Sequence, residues 1–162
     1  MDIWTERLKQ EHLPLLERWA GRSKGKLTEN DLPTELHEIQ TWFKACTAEP
    51  GRLDFLALIY DTPVGIAGIQ KCSVQSAVAE LYLLIGETNY NLVRTATYVT
   101  LKMLDRAFLE LNSDRVVIRP EENNRWFLEM LEQMGFERLK EPDGSLCLVV
   151  EKEKFQQRRY LF

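Results

Sequence analysis

Glu80 stands as a lone carboxylate inside Val78-Ala79-Glu80-Leu81-Tyr82-Leu83-Leu84-Ile85. Strand alternation places it on one face with Val78, Tyr82 and Leu84. Partial burial there would disfavour the charged form, a setting in which carboxyl groups take up acid–base work. A solvated carboxylate, or a partner for a nearby Lys or Arg, explains the residue equally well. Further along, Asn91-Leu92-Val93-Arg94-Thr95-Ala96-Thr97 opens the longest helical pattern of the chain. A cation in a first helical turn opposes the helix dipole by a few tenths to ~1 kcal/mol. Helix stability therefore does not account for Arg94, and with Thr95 and Thr97 it forms a candidate anion clamp, against the plainer reading of a solvated first turn. Tyr82, Tyr90 and Tyr98 are candidate proton donors, although aromatic residues at such places more often pack. Asn123 and Asn124 have the chemistry of helix caps.

The remaining reactive residues point to little. Cys46, Cys72 and Cys147 are widely spaced with no Cys-x-x-Cys pair, which argues against a disulfide framework and a structural zinc. His12 and His37 have no second His one turn away, so no metal is expected.

The elements that must position these residues follow from hydrophobic periodicity. Ile3 to Leu8 reads as a strand, His12 to Arg22 as a helix, and Gly21 to Asn30 as a loop too short for an inter-domain linker. A second helix is expected from Pro33, ended by Pro50-Gly51. Leu53 to Tyr60, Val64 to Lys71 and Val78 to Ile85 form an antiparallel meander. The long helix runs from Leu92 to Leu111 with a broad apolar face, then comes a strand from Arg115 to Arg119. A helix opening at Asn123-Asn124 stops at Gly135, and strands follow at Glu137 to Lys140 and Leu146 to Lys152. The predicted class is α/β: a mixed, mostly antiparallel sheet of about seven strands with about four flanking helices, as one domain over residues 1–162. The central strand-helix-strand unit supplies its parallel, right-handed crossover.

The chain has 162 residues, 44% hydrophobic and 28% charged, with net charge −4. That balance supports a folded core and gives no basic field for nucleic acid. No run approaches a membrane span, and Met1-Asp2-Ile3-Trp4-Thr5-Glu6-Arg7 lacks signal-peptide character, so a soluble cytoplasmic protein is expected. Lys152, Lys154, Arg158 and Arg159, interleaved with Phe155, Tyr160 and Phe162, read as a solvated or dimer-contacting tail.

The element order, Ala79-Glu80-Leu81-Tyr82-Leu83-Leu84-Ile85-Gly86, and Glu122-Asn123-Asn124 followed by Leu131-Glu132-Gln133-Met134-Gly135-Phe136-Glu137 together resemble the GNAT superfamily of acyl-CoA-dependent N-acyltransferases over almost the whole chain. The resemblance implies acetyl transfer from acetyl-CoA, as co-substrate and without metal, to a primary amine of a small molecule or peptide, by direct attack. It implies Glu80 as general base. It implies a cofactor site of Leu84, Ile85, Asn91, Val93, Arg94, Thr95, Ala96, Thr97 and Asn124, with no nucleic-acid or membrane partner and a homodimer left open.

The physical logic of such a site is separate from the resemblance. Splayed strands, here Leu81 to Ile85 and Val116 to Arg119, expose backbone groups that an amide-bearing arm pairs with, and the next helix N-terminus receives a pyrophosphate. The sequence departs from the family pattern three times. Arg94 occupies the central glycine of the phosphate loop, where it either clamps phosphate or points away. Phe127 replaces a small residue, and Leu131 replaces a tyrosine that serves as general acid. These departures leave a second reading open, a GNAT-like binding or regulatory module without turnover.

Overall fold

The computed structural model describes residues 2–21 and 26–162. Seven strands form one sheet: β1 (Ile3–Arg7), β2 (Arg52–Ile59), β3 (Thr62–Lys71), β4 (Val78–Ile85), β5 (Arg115–Ile118), β6 (Glu137–Lys140) and β7 (Leu146–Glu151). Their order across the sheet is β1-β2-β3-β4-β5-β7-β6. Among the described residues only β4 and β5 pair in parallel, joined by the long helix, as the predicted crossover requires. The sheet is therefore the mixed, mostly antiparallel one expected.

Among the described residues five α-helices flank it: α1 (Leu13–Trp19), α2 (Leu36–Ala48), α3 (Leu92–Leu109), α4 (Arg125–Gln133) and α5 (Lys152–Arg158). The sequence predicted four. The fifth is the basic tail, expected to be solvated or dimer-contacting. It folds because Phe155 buries beside Phe108, ring centres 5.6 Å apart, while Arg159 reaches Asp105 at 3.1 Å. Helix α2 starts three residues later than Pro33 suggested, because the Leu36 N–H donates to the Glu17 carboxylate of α1 at 3.0 Å. An external acceptor fixes that start, not a local cap. Helix α1 was expected to reach Arg22; it ends at Trp19, and Arg22 lies outside the described residues. At the end of α4, Gly135 takes φ +108, and the Phe136 N–H closes back on Leu131 O at 3.1 Å.

The sheet separates two cores. Leu81, Leu83 and Ile85 of β4 face α3, α4 and α5, whereas Tyr82 and Leu84 face α1 and α2. Period-two alternation thus gives β4 two distinct faces, both buried. Where β4 ends, the indole of Trp19 lies flat on Gly86, and an added Cβ there would overlap the ring. Replacing Gly86 by Ala should destabilise the fold by about 1–3 kcal/mol through overpacking. Urea denaturation of the variant checks this, and a midpoint equal to that of the parent would show that Trp19 is free to move aside.

Candidate active site

Strands β4 and β5 pair from Val78↔Arg115 to Leu81↔Ile118 and then part. This is the predicted splay. The structure fills it with the chain itself. Lys26 bridges antiparallel to Leu84, and Thr28 to Pro120. The Thr28 hydroxyl accepts from the Leu83 N–H at 3.3 Å. The Glu29 N–H donates to Arg119 O at 2.9 Å, and the Glu121 N–H to Leu27 O at 3.0 Å. Leu27 is fully buried in the core beside α3 and α4. Residues 26–30, read as part of a loop, are thus an extended segment wedged between the two strands. An amide-bearing pantetheine arm needs those same backbone groups, so the gap in this arrangement does not fit it. Residues 22–25 of the predicted loop lie outside the described residues.

The start of α3 is organised around its own backbone. The Asn91 side chain accepts from the Arg94 N–H at 3.0 Å, the N-cap bond. Thr95 is buried, and its hydroxyl donates to Asn91 O at 2.8 Å; the Thr97 hydroxyl bonds to Val93 O at 2.7 Å. Ala96 is buried and Val93 exposed. The Arg94 guanidinium carbon lies 5.6 Å from the Tyr98 ring centre, a cation–π contact on the helix surface. Thr95 and Thr97, expected to clamp an anion with Arg94, instead bond the helix backbone, and Arg94 is turned along the helix. The dipole and the remaining first-turn N–H groups still favour an anion there.

Asn124 caps α4 only through its backbone oxygen, which accepts from Phe127 and Leu128 N–H at 3.1 Å. Its side chain makes no cap bond; its Nδ2 reaches Lys26 O at 3.5 Å, across the gap. The ordinary side-chain cap is thus corrected: the amide faces the splay. Phe127 and Leu131 are fully buried in the core.

On the opposite face, Glu80 is half-buried and ion-paired with Arg119, which also binds Glu141 at 2.8 Å. Glu80 lines a cleft of about 220 Å³ with Asn30, Asp31, Leu32, Trp42, Arg52, Gln70 and Tyr82. A neighbouring cleft of about 240 Å³ runs past Thr28, Asn30, Asp31 and Leu32 to Leu84 and Trp19. Below them lies a polar cluster. The Tyr82 hydroxyl donates to Asp54 at 2.6 Å, and Arg52 Nε donates to the same carboxylate at 3.0 Å. Burial pushes the Tyr82 phenol well above its usual range, and the Asp54 charge adds to it. The Arg52 guanidinium rises further still despite burial, because Asp54 bonds to it. Burial likewise pushes the Cys46 thiol up to about 12. Gly68 is needed here, since a Cβ would overlap the Tyr82 ring.

The structure therefore gathers Glu80 and Tyr82 on one face and Asn91 to Thr97 at the helix start, with Leu84, Ile85 and Asn124 near the gap between them. Tyr90 is exposed and Tyr98 half-buried, and neither lines the two clefts. The sequence reading missed Asn30, Arg52, Asp54 and Arg119. Only Asp54 left a signal, a carboxylate between Leu53 and Phe55 in an apolar run.

Among solved structures, the chain aligns with aminoglycoside acetyltransferase AAC(6')-Ib in complex with coenzyme A at TM-score 0.79 and 17% identity, covering 98% of this chain and 99% of that one. A chimera of the Vibrio cholerae spermidine N-acetyltransferase SpeG and hSSAT aligns at 0.80 and 15%, covering 98% and 100%. A putative acetyltransferase from T. thermophilus aligns at 0.70 and 19%, covering 99% and 92%. At these identities the likeness concerns the fold. No functionally curated protein matches by sequence. Among the described residues no helix is long and apolar enough to cross a membrane. The acetyltransferase (GNAT) domain profile matches residues 9–143, most of the chain, and with it the crossover, the splay and the late helix identify this protein as a member of the GNAT acetyltransferase family.

Proposed function

We propose that the protein moves an acetyl group from acetyl-CoA to the primary amine of a small acceptor held in the clefts beside Glu80. The observation that carries this reading is the place of Glu80: half-buried, on the cleft face of β4, one residue before the last pair at which β4 and β5 stay together. An acceptor amine there would lie next to a carboxylate, and an acyl group entering through the splay would meet it. The aminoglycoside and spermidine acetyltransferases that share the fold act on small molecules rich in amines, which favours that class of acceptor. In the reaction the amine loses a proton to Glu80, its nitrogen bonds to the thioester carbon, and the carbon–sulfur bond breaks to release a thiolate. A thiol ionises near pH 8.5, so the thiolate needs little acid assistance to leave. That suits a site where Leu131 has no proton and the Tyr82 proton is held by Asp54.

Replacing Glu80 by Gln should lower kcat by about 10²- to 10⁴-fold while the KM for acetyl-CoA changes little. Thiol release with a panel of small amines measures it, and undiminished turnover would remove Glu80 from the chemistry. The stacking of Arg94 on Tyr98 favours the second reading, a binding module that has lost its donor site. Calorimetric titration of CoA against the parent and Arg94→Gly separates the two. Binding by the parent supports the enzyme, and binding by the glycine variant alone supports the module.

The Tyr82 phenol gives a pH prediction. Its folded pKa lies above the unfolded one, so its stabilisation is complete below about pH 10 and is lost as pH rises toward the folded value. Stability should fall on the alkaline side, and Tyr82→Phe should remove that share of the slope. At pH 7 the variant should lose about 1.5–3 kcal/mol, the worth of a hydrogen bond to a charged group. Denaturant unfolding between pH 7 and 11 checks both.

A further inference from the structure

We propose that residues 26–30 form an internal strap that occupies the donor groove, and that the acyl donor enters only when this strap leaves the gap. The proposal rests on the donor reading above and adds its control.

The strap satisfies the groove as a ligand would. Three backbone groups that border the opening, the Leu83 N–H, the Arg119 carbonyl and the Glu121 N–H, are engaged by Thr28, Glu29 and Leu27. The Asn124 amide, on the far wall, reaches Lys26 O. Leu27 fills the space toward α3 and α4, and Thr28 is 2% exposed. An extended chain cannot add itself to an edge whose hydrogen-bonding groups already have partners, so the strap and an amide-bearing arm exclude one another.

The strap is also built to be released. Its charged anchor is Lys26, whose ammonium reaches Asp31 at 2.8 Å and Glu121 at 3.3 Å. The Lys26 side chain is one-third exposed and Asp31 is fully open to solvent, so water screens the contact. Asn30, the last residue of the strap, and Asp31, which follows it, line both acceptor clefts. The Asn30 Oδ1, buried without a hydrogen-bond partner, shows that the present arrangement leaves one polar group of the strap unsatisfied. A site whose open form is populated at one part in ten to one in a hundred binds its ligand about ten- to a hundred-fold more weakly than the open form itself.

A reversible lock tests this. Thr28 and Pro120 are bridge partners, so the double variant Thr28→Cys/Pro120→Cys should close a disulfide that pins the strap, with the reduced form of the same protein as the folding control. CoA titration should give at least tenfold weaker binding to the oxidised than to the reduced form. In the unmodified chain, hydrogen exchange should show the Glu29 and Glu121 amides protected without CoA and exposed with it. Equal CoA affinity in both redox forms, or CoA binding with those amides still protected, overturns the strap while leaving the donor reading intact. Failure of the parent, the reduced double variant and Arg94→Gly all to bind CoA overturns the donor reading and the strap's role with it.

Discussion

Beyond Leu81, β4 loses its parallel partner while remaining inside the molecule. That edge sets the terms for the rest of the structure. Its backbone groups are buried, and a buried backbone donor or acceptor without a partner costs free energy comparable to a lost hydrogen bond. Something must therefore line the opening. In this arrangement the chain supplies residues 26–30, which meet the two strands through the bridges Lys26↔Leu84 and Thr28↔Pro120. The Asn124 amide, which leaves its own helix start and reaches Lys26 O, meets the same demand.

The two faces of β4 then divide the labour. One face carries Leu81, Leu83 and Ile85 into the larger core with α3 and α4. The other carries Glu80, Tyr82 and Leu84 toward α1 and α2, where the clefts lie. A buried carboxylate such as Asp54 is tolerated only when paired and hydrogen-bonded. Arg52 and Tyr82 meet that condition, and Gly68 makes room for it. The effect is a fixed phenol beneath the acceptor clefts, its proton directed at Asp54 and away from the reacting side. In the proposed reaction Tyr82 is thus wall and support, and acid–base work is assigned to Glu80.

Much of the fold was legible because it follows from local periodicity. The alternation in β4, the broad apolar face of α3 and the Gly135 stop each rest on neighbouring residues. Glu80 stood out because it interrupts an apolar strand. The strap was not legible, since Lys26 to Asn30 is short, mostly polar and flanked by turn-forming residues, and its pairing partners lie more than fifty positions away. Arg94 was half legible: its conflict with the helix dipole was visible, but the relief it finds on Tyr98 depends on rotamer and contact. The tail helix escaped for a related reason. One buried ring, Phe155, outweighs a run of solvated charges, and only the packing shows where that ring goes.

Arg119 belongs to both sides of the site. Its carbonyl accepts from Glu29 of the strap, and its guanidinium holds Glu80 and Glu141. It follows the last residue of β5, at the point where the strand ceases to be fixed by pairing with β4. Whatever enters the groove must therefore replace a hydrogen bond on the same residue that orients the carboxylate on the opposite face. The proposed donor groove and the cleft beside Glu80 are joined through one backbone unit and its side chain. An arrangement of this kind lets the state of the groove be felt at Glu80 without any movement of the sheet as a whole.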